Sequence, residues 1–138
     1  SQDRTVKIWD IRSQRLIQHY DAHSAEVNEI DFHPNGRYLL SSSNDSTLKS
    51  WDLRQGHILY TLYGHEGAST SAAFSPCGDY LATGSFDKNL HIWSVKTGKH
   101  LKTHKGESGI FEVCWNKDGN QVAVCYSNST INIVDFRK

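Results

Sequence analysis

Eight histidines and three cysteines, with many serines and aspartates, are the residues of this chain whose chemistry could serve a reaction. Their order argues against one. A Ser/His/Asp hydrolase needs its nucleophile on a sharp elbow between strand and helix, and no segment resembles that elbow. A phosphate-cradling Gly-x-x-x-x-Gly-Lys loop is absent as well. His100 and His104 are four residues apart, a spacing that would align two zinc ligands on a helix. Their surroundings read as strand and loop, where that spacing gives no helical face, and no cysteine pair completes a tetrad. Both are expected to be surface histidines. Cys77 falls in a turn, where exposure is expected, and Cys114 is expected to pack within a strand. Neither has the neighbours that would mark a reactive thiolate. Asn44-Asp45-Ser46 and Asn128-Ser129-Thr130 fit a glycosylation acceptor but read as ordinary turn residues. No catalytic residue, cofactor or metal ligand is therefore expected.

The elements that hold these residues declare themselves by repetition. Trp9, Trp51 and Trp93 are each separated by 42 residues. Phe32, Phe74 and Trp115 follow at intervals of 42 and 41, as do Gly36, Gly78 and Gly119. Asp3, Asp45, Asp87 and Asn128 form a fourth series. In each unit an apolar run ends in an aromatic residue, and a glycine turn follows: His33-Pro34-Asn35-Gly36, Ser75-Pro76-Cys77-Gly78, Asn116-Lys117-Asp118-Gly119. The glycines supply the positive φ that such turns need. A second apolar run, a polar turn and a third run come next, the third runs being 5–9, 47–51, 89–93 and 130–134. A fourth strand is expected at 15–20, 57–62 and 100–103. Four short antiparallel strands in about 42 residues make one blade of a β-propeller. The expected fold is all-β.

With Trp9-Asp10, Trp51-Asp52 and Gly64-His65, the sequence resembles WD40-repeat proteins over its whole length. Trp93 is followed by Ser94, and Ala22-His23 stands where Gly-His is usual. In that family a His, a Ser or Thr, a turn Asp and the Trp form a hydrogen-bonded chain that stiffens each blade. The resemblance assigns this role to His23, Ser41, Asp45 and Trp51, and again to His65, Thr83, Asp87 and Trp93. The chemistry is sound, since a buried imidazole needs partners on both nitrogens and a buried indole N–H needs an acceptor. The last unit departs from the pattern. Val124 replaces the hydroxyl residue, Asn128 the Asp and Val134 the Trp, while Glu107 stands near the place of the His. That unit is expected to rely on apolar packing of Ile110, Val113, Trp115, Val122, Ile131 and Ile133. Ser50 and Ser69, where other units carry aliphatic residues, are expected weak spots.

Segment by segment, 1–20 reads as the end of a blade, 21–62 and 63–104 as repeats, and 105–138 as a degenerate last repeat. About three and a third units are an incomplete ring, since propellers close with four to eight blades and this family normally with about seven. A longer chain, a partner or a further copy is expected to complete it. Fifteen basic and fifteen acidic residues cancel, which disfavours direct nucleic-acid binding. No apolar run approaches the roughly 20 residues that cross a bilayer, and the polar opening Ser1-Gln2-Asp3-Arg4 shows no leader. A cytoplasmic protein without a membrane partner is expected, and three cysteines suit a reducing compartment.

Two finer resemblances divide the chain. From Leu16 through Phe74, including Asp31-Phe32-His33-Pro34-Asn35-Gly36 and Leu59-Tyr60-Thr61-Leu62-Tyr63-Gly64-His65, it is similar to the centriolar WD-repeat family called proteome of centriole. From Gly84-Ser85-Phe86-Asp87-Lys88 to Lys138, with Gly109-Ile110-Phe111-Glu112-Val113-Cys114-Trp115-Asn116, it resembles the transducin-β-like corepressor family. The first implies a non-catalytic scaffold in centriole or basal-body assembly. The second implies a subunit of a nuclear histone-deacetylase corepressor complex. A chimeric or designed propeller fragment without a native function is a third reading. In either natural setting the partners are other proteins. By family resemblance the top of the ring is faced by Asn44, Phe86 and Ser127, and by Asn28, Thr70 and Phe111. Glu26, Glu66 and Lys88 would form a charged rim. Phe86 and Phe111 stand out, because an aromatic residue in a polar turn costs hydration unless something covers it, and the cover is expected to be either a partner or the neighbouring blade.

Overall fold

A computed structural model describes residues 1–137; Lys138, the last residue of the corepressor-like stretch, lies outside the described residues. Thirteen strands and no helix make up the described chain. They pair only with sequence neighbours and always antiparallel, giving four separate sheets. The first is a two-stranded ribbon of β1 (Thr5–Asp10) and β2 (Arg15–Asp21). The second contains β3 (Val27–Phe32), β4 (Tyr38–Ser43), β5 (Leu48–Asp52) and β6 (His57–Leu62). The third contains β7 (Ser69–Phe74), β8 (Tyr80–Ser85), β9 (Asn89–Ser94) and β10 (His100–Lys105). The last has three strands, β11 (Ile110–Trp115), β12 (Gln121–Tyr126) and β13 (Ile131–Asp135). The sheets stack as successive propeller blades that do not close into a ring.

The turns explain why each blade folds locally. Gly36, Gly78 and Gly119 take φ of +71°, +81° and +67° between the first and second strands of a blade. A side chain at those positions would be strained. Between the second and third strands, Asp45 and Asp87 accept the backbone N–H two residues on, which closes an Asx turn.

Packing runs from blade to blade. Leu40, Leu48 and Leu62 of the second sheet meet Ala72, Phe74, Leu81 and Trp93 of the third. Ala82, Leu90 and Ile92 of the third meet Ile110, Val113, Val122, Val124 and Tyr126 of the fourth. Val6 and Tyr20 of the ribbon cover Val27, Leu39 and Trp51. Each sheet therefore has a forward face and a backward face, and each core is a seam between two blades. Polar groups close the seams as well. Glu29 and Asp31 accept the backbone N–H groups of Ala72 and Phe74, at 2.9 and 3.0 Å. Ser71 accepts that of Val113 at 3.1 Å, and the Trp115 indole donates to the Ala73 carbonyl at 2.9 Å.

The ends of the stack depart from the sequence expectations. Ile131 and Ile133 do not support the last blade but are exposed. They lie on its forward face, where no further blade follows among the described residues. Val124 and Tyr126 fill the seam instead, with Val134 and Phe136 partly buried against it. Cys114 is likewise exposed rather than packed, for the same reason. At the opposite end, Phe32 is 53% exposed while the equivalent Phe74 is only 8% exposed. The ribbon carries only the outer two strands of a blade, so nothing lies over Phe32.

Candidate functional site

Two sets of four side chains run through the interiors of the complete blades. His23 lies in the loop before β3, Ser41 on β4, Asp45 in the following turn and Trp51 on β5. The Trp51 indole N–H donates to Ser41 Oγ at 3.0 Å. Ser41 Oγ meets His23 Nε2 at 2.8 Å, and His23 Nδ1 meets Asp45 Oδ2 at 2.9 Å. The next blade repeats the arrangement with Trp93, Thr83, His65 and Asp87, at 2.9, 2.9 and 3.0 Å. An indole N–H can only donate and a carboxylate can only accept. The protons therefore point one way along each chain: indole to hydroxyl, hydroxyl to Nε2, and Nδ1–H to carboxylate. Each imidazole is neutral in that order.

Burial pushes the His65 imidazole down to about 4, helped by the neighbouring His91 and opposed by Asp87. Burial also lowers His23. For Asp87 burial raises the carboxyl, but the N–H groups of Asn89 and Glu66 and the His65 contact outweigh it and hold the carboxyl below its usual value. The residue types match a hydrolase triad, yet the chemistry does not follow. Each hydroxyl gives its proton to a histidine, takes one from an indole and is wholly buried, so no substrate reaches it.

The positions expected to face the top of the ring fall into two groups. Asn28 Nδ2 donates to Asn44 Oδ1 at 2.8 Å and to the Ser69 carbonyl at 2.9 Å. Thr70 Oγ1 donates to the Ile110 carbonyl at 2.5 Å. Both side chains thus reach across a seam into the following blade. Phe86 and Phe111 also meet across a seam, edge to face at 5.7 Å between ring centroids. They remain 49% and 56% exposed. Gly109 permits the approach, since a Cβ there would sit 2.8 Å from Phe86 Cδ1. Ser127 is exposed, and its backbone N–H donates to the carbonyl of the same Gly109 at 2.8 Å. Around these positions Glu26, Glu66 and Lys88 are all exposed, and Glu26 accepts from Asn44 at 3.2 Å.

Sequence reasoning sought a companion for His100 at His104 and missed His91. The His100 ring stands edge-on to His91, with centroids 4.8 Å apart, and His91 in turn lies 4.3 Å from the His65 ring. The repeat marks both residues as departures from their counterparts, though not as neighbours of each other. His91 occupies the position of Lys7 and Lys49, and His100 that of Leu16 and Ile58.

The chain matches the family described as WD domain, G-beta repeat, over residues 14–52, 56–94 and 96–135. Each match begins near the outer strand of one blade and ends with the third strand of the next. The WD40 repeat-containing protein HOS15 of Arabidopsis thaliana is 43% identical over 135 residues, which is 98% of this chain and 15% of that protein. The Lissencephaly-1 homolog of Heterostelium pallidum is 46% identical over 41 residues, 30% of this chain and 10% of that protein. The human U5 small nuclear ribonucleoprotein 40 kDa protein is 36% identical over 44 residues, 32% of this chain and 12% of that protein. The chain thus spans less than a sixth of the length of these relatives.

Proposed function

Because this chain belongs to the WD40 repeat family, we propose that it is part of a non-catalytic scaffold that binds another protein through the Phe86–Phe111 edge. WD40 repeats generally serve as such scaffolds, and these two rings carry the present reading. Large aromatic side chains at interface centres supply most of the binding energy when a partner removes them from water. Here they are already held by each other and by Gly109, so little side-chain freedom is lost on binding. The two four-residue chains have a structural role in this reading. They stiffen the blades from which the edge projects.

The cellular setting we propose is a histone-deacetylase corepressor complex in the nucleus. The stretch that resembles the corepressor family contains Phe86, Phe111 and Ser127 together, whereas the centriole-like stretch contains none of them. One plant relative aligned over 98% of the chain spans both stretches, which supports a continuous natural array over a chimera. The test is co-purification from cells of the full-length protein and of its F86A/F111A variant. Recovery of histone-deacetylase complex subunits with the parent, and their loss from a variant with unchanged circular dichroism, is the expected result. Each truncation at such a centre costs about 2 kcal/mol or more. Identical partner sets for both proteins, or residence at centrioles, would overturn the reading.

A further inference from the structure

The outer strand pairs of the blades share an irregularity. In β1–β2, β5–β6 and β9–β10 the register slips at one place, leaving Ile17, Leu59 and Leu101 without a cross-strand partner. Residues three apart on a regular strand point to opposite faces. The extra residue turns one of them over, as a β-bulge does. His100 and Thr103 consequently share the face of Trp93 and His91, their cross-strand partners. The corresponding sets are Leu16, His19 and Lys7 in the ribbon, and Ile58, Thr61 and Lys49 in the second sheet. Two imidazoles meet only in the third.

Their atoms converge on one point. His91 Nε2 lies 3.1 Å from the Gly64 carbonyl, an acceptor, so Nε2 carries the proton and Nδ1 is an acceptor with a lone pair directed at Thr103 and His100. That Nδ1 is 2.8 Å from Thr103 Oγ1 and 3.2 Å from His100 Nε2. Thr103 Oγ1 is also 2.8 Å from His100 Nε2. Two imidazole nitrogens on a tetrahedral zinc ion, each about 2.0–2.1 Å from the metal, are separated by about 3.3 Å. We propose that His91 Nδ1 and His100 Nε2 form a binding site for a borderline divalent cation of the zinc class, with Thr103 Oγ1 beside it and water completing the shell.

The surroundings suit a cation. A backbone carbonyl on the far nitrogen of a ligand histidine fixes the tautomer and raises its basicity. The Asp87 carboxylate lies within 4.8 Å of a His91 ring nitrogen and supplies negative charge behind the site. His100 and Thr103 are exposed and leave an entry path. The neighbouring set of His65, Asp87 and His91 is a poorer candidate, because both nitrogens of His65 are already bonded to Asp87 and Thr83.

The test uses the untagged 138-residue chain, titrated with zinc chloride by calorimetry at neutral pH and followed by the imidazole NMR signals. One zinc ion per chain, with His91 and His100 signals shifting and those of His65 unmoved, is expected. The variants H91K and H100I install the residues that the second sheet carries at the same places, Lys49 and Ile58, so the fold has precedent for both. Each should abolish uptake, and T103V should weaken it by about tenfold. Absence of uptake by the parent chain, or undiminished uptake by H100I, would falsify the proposal. Neither result bears on the Phe86–Phe111 edge, which lies at a different seam.

Discussion

His65 donates to Asp87 from Nδ1 and accepts from Thr83 at Nε2, so a second proton finds no vacant lone pair on the ring. Its folded value of about 4 stands below the ordinary 6.5 of an unfolded chain. Between those limits the unfolded state binds a proton that the folded state does not. The stability this contributes is complete above pH 6.5 and is lost as pH falls through the window toward 4. The loss amounts to at most about 1.4 kcal/mol per pH unit for one such group. His23, lowered by burial too, acts in the same direction. Asp87, held low, keeps its own contribution until more acid conditions are reached. Urea unfolding at pH 7 and pH 5 should give the lower midpoint at pH 5. Equal midpoints would mean that these imidazoles are not held neutral by the fold.

At the level of strands, Ser69 opens β7 where Val27 and Ile110 open β3 and β11. Its hydroxyl is buried without a hydrogen-bond partner. S69A removes that unsatisfied group at almost constant shape, and the urea midpoint should rise by about 1 kcal/mol of stability. A fall would show that the oxygen is in fact bonded. This weak spot was legible in the repeat, as were the strand order and the glycine turns, because a 42-residue period compares each position with its own counterparts. Other features were not legible. The exposure of Cys114, Ile131 and Ile133 depends on whether another blade lies over them, a fact that resides in neighbouring elements and not in local pattern. The convergence of His91 with His100 depends on the bulge at Leu101, and hydrophobic alternation carries no trace of a one-residue slip. Phe86 and Phe111 could be singled out from residue type alone, but their mutual contact spans two blades whose strands belong to separate sheets.

Across the whole molecule every core lies between consecutive blades, so the stability of the array is a sum of blade and seam contributions. The seams are also unlike on their two sides. A forward face offers Glu29 and Asp31 as acceptors, and a backward face presents backbone N–H groups and an aromatic residue to them. Symmetry follows from that inequality. An isologous dimer would set like faces together, Glu112 against Glu112 on the last sheet's open forward face or the β3 N–H groups against their own copies, and leave these groups unpaired. Any association of copies through these faces must instead be heterologous, each copy repeating the last by the same rotation until a circle closes or a fibre grows. If copies of this chain associate through these faces, a photo-crosslinker placed at Ile133 should capture the segment around Ile30 and Phe32 of the second copy, never that copy's own Ile133.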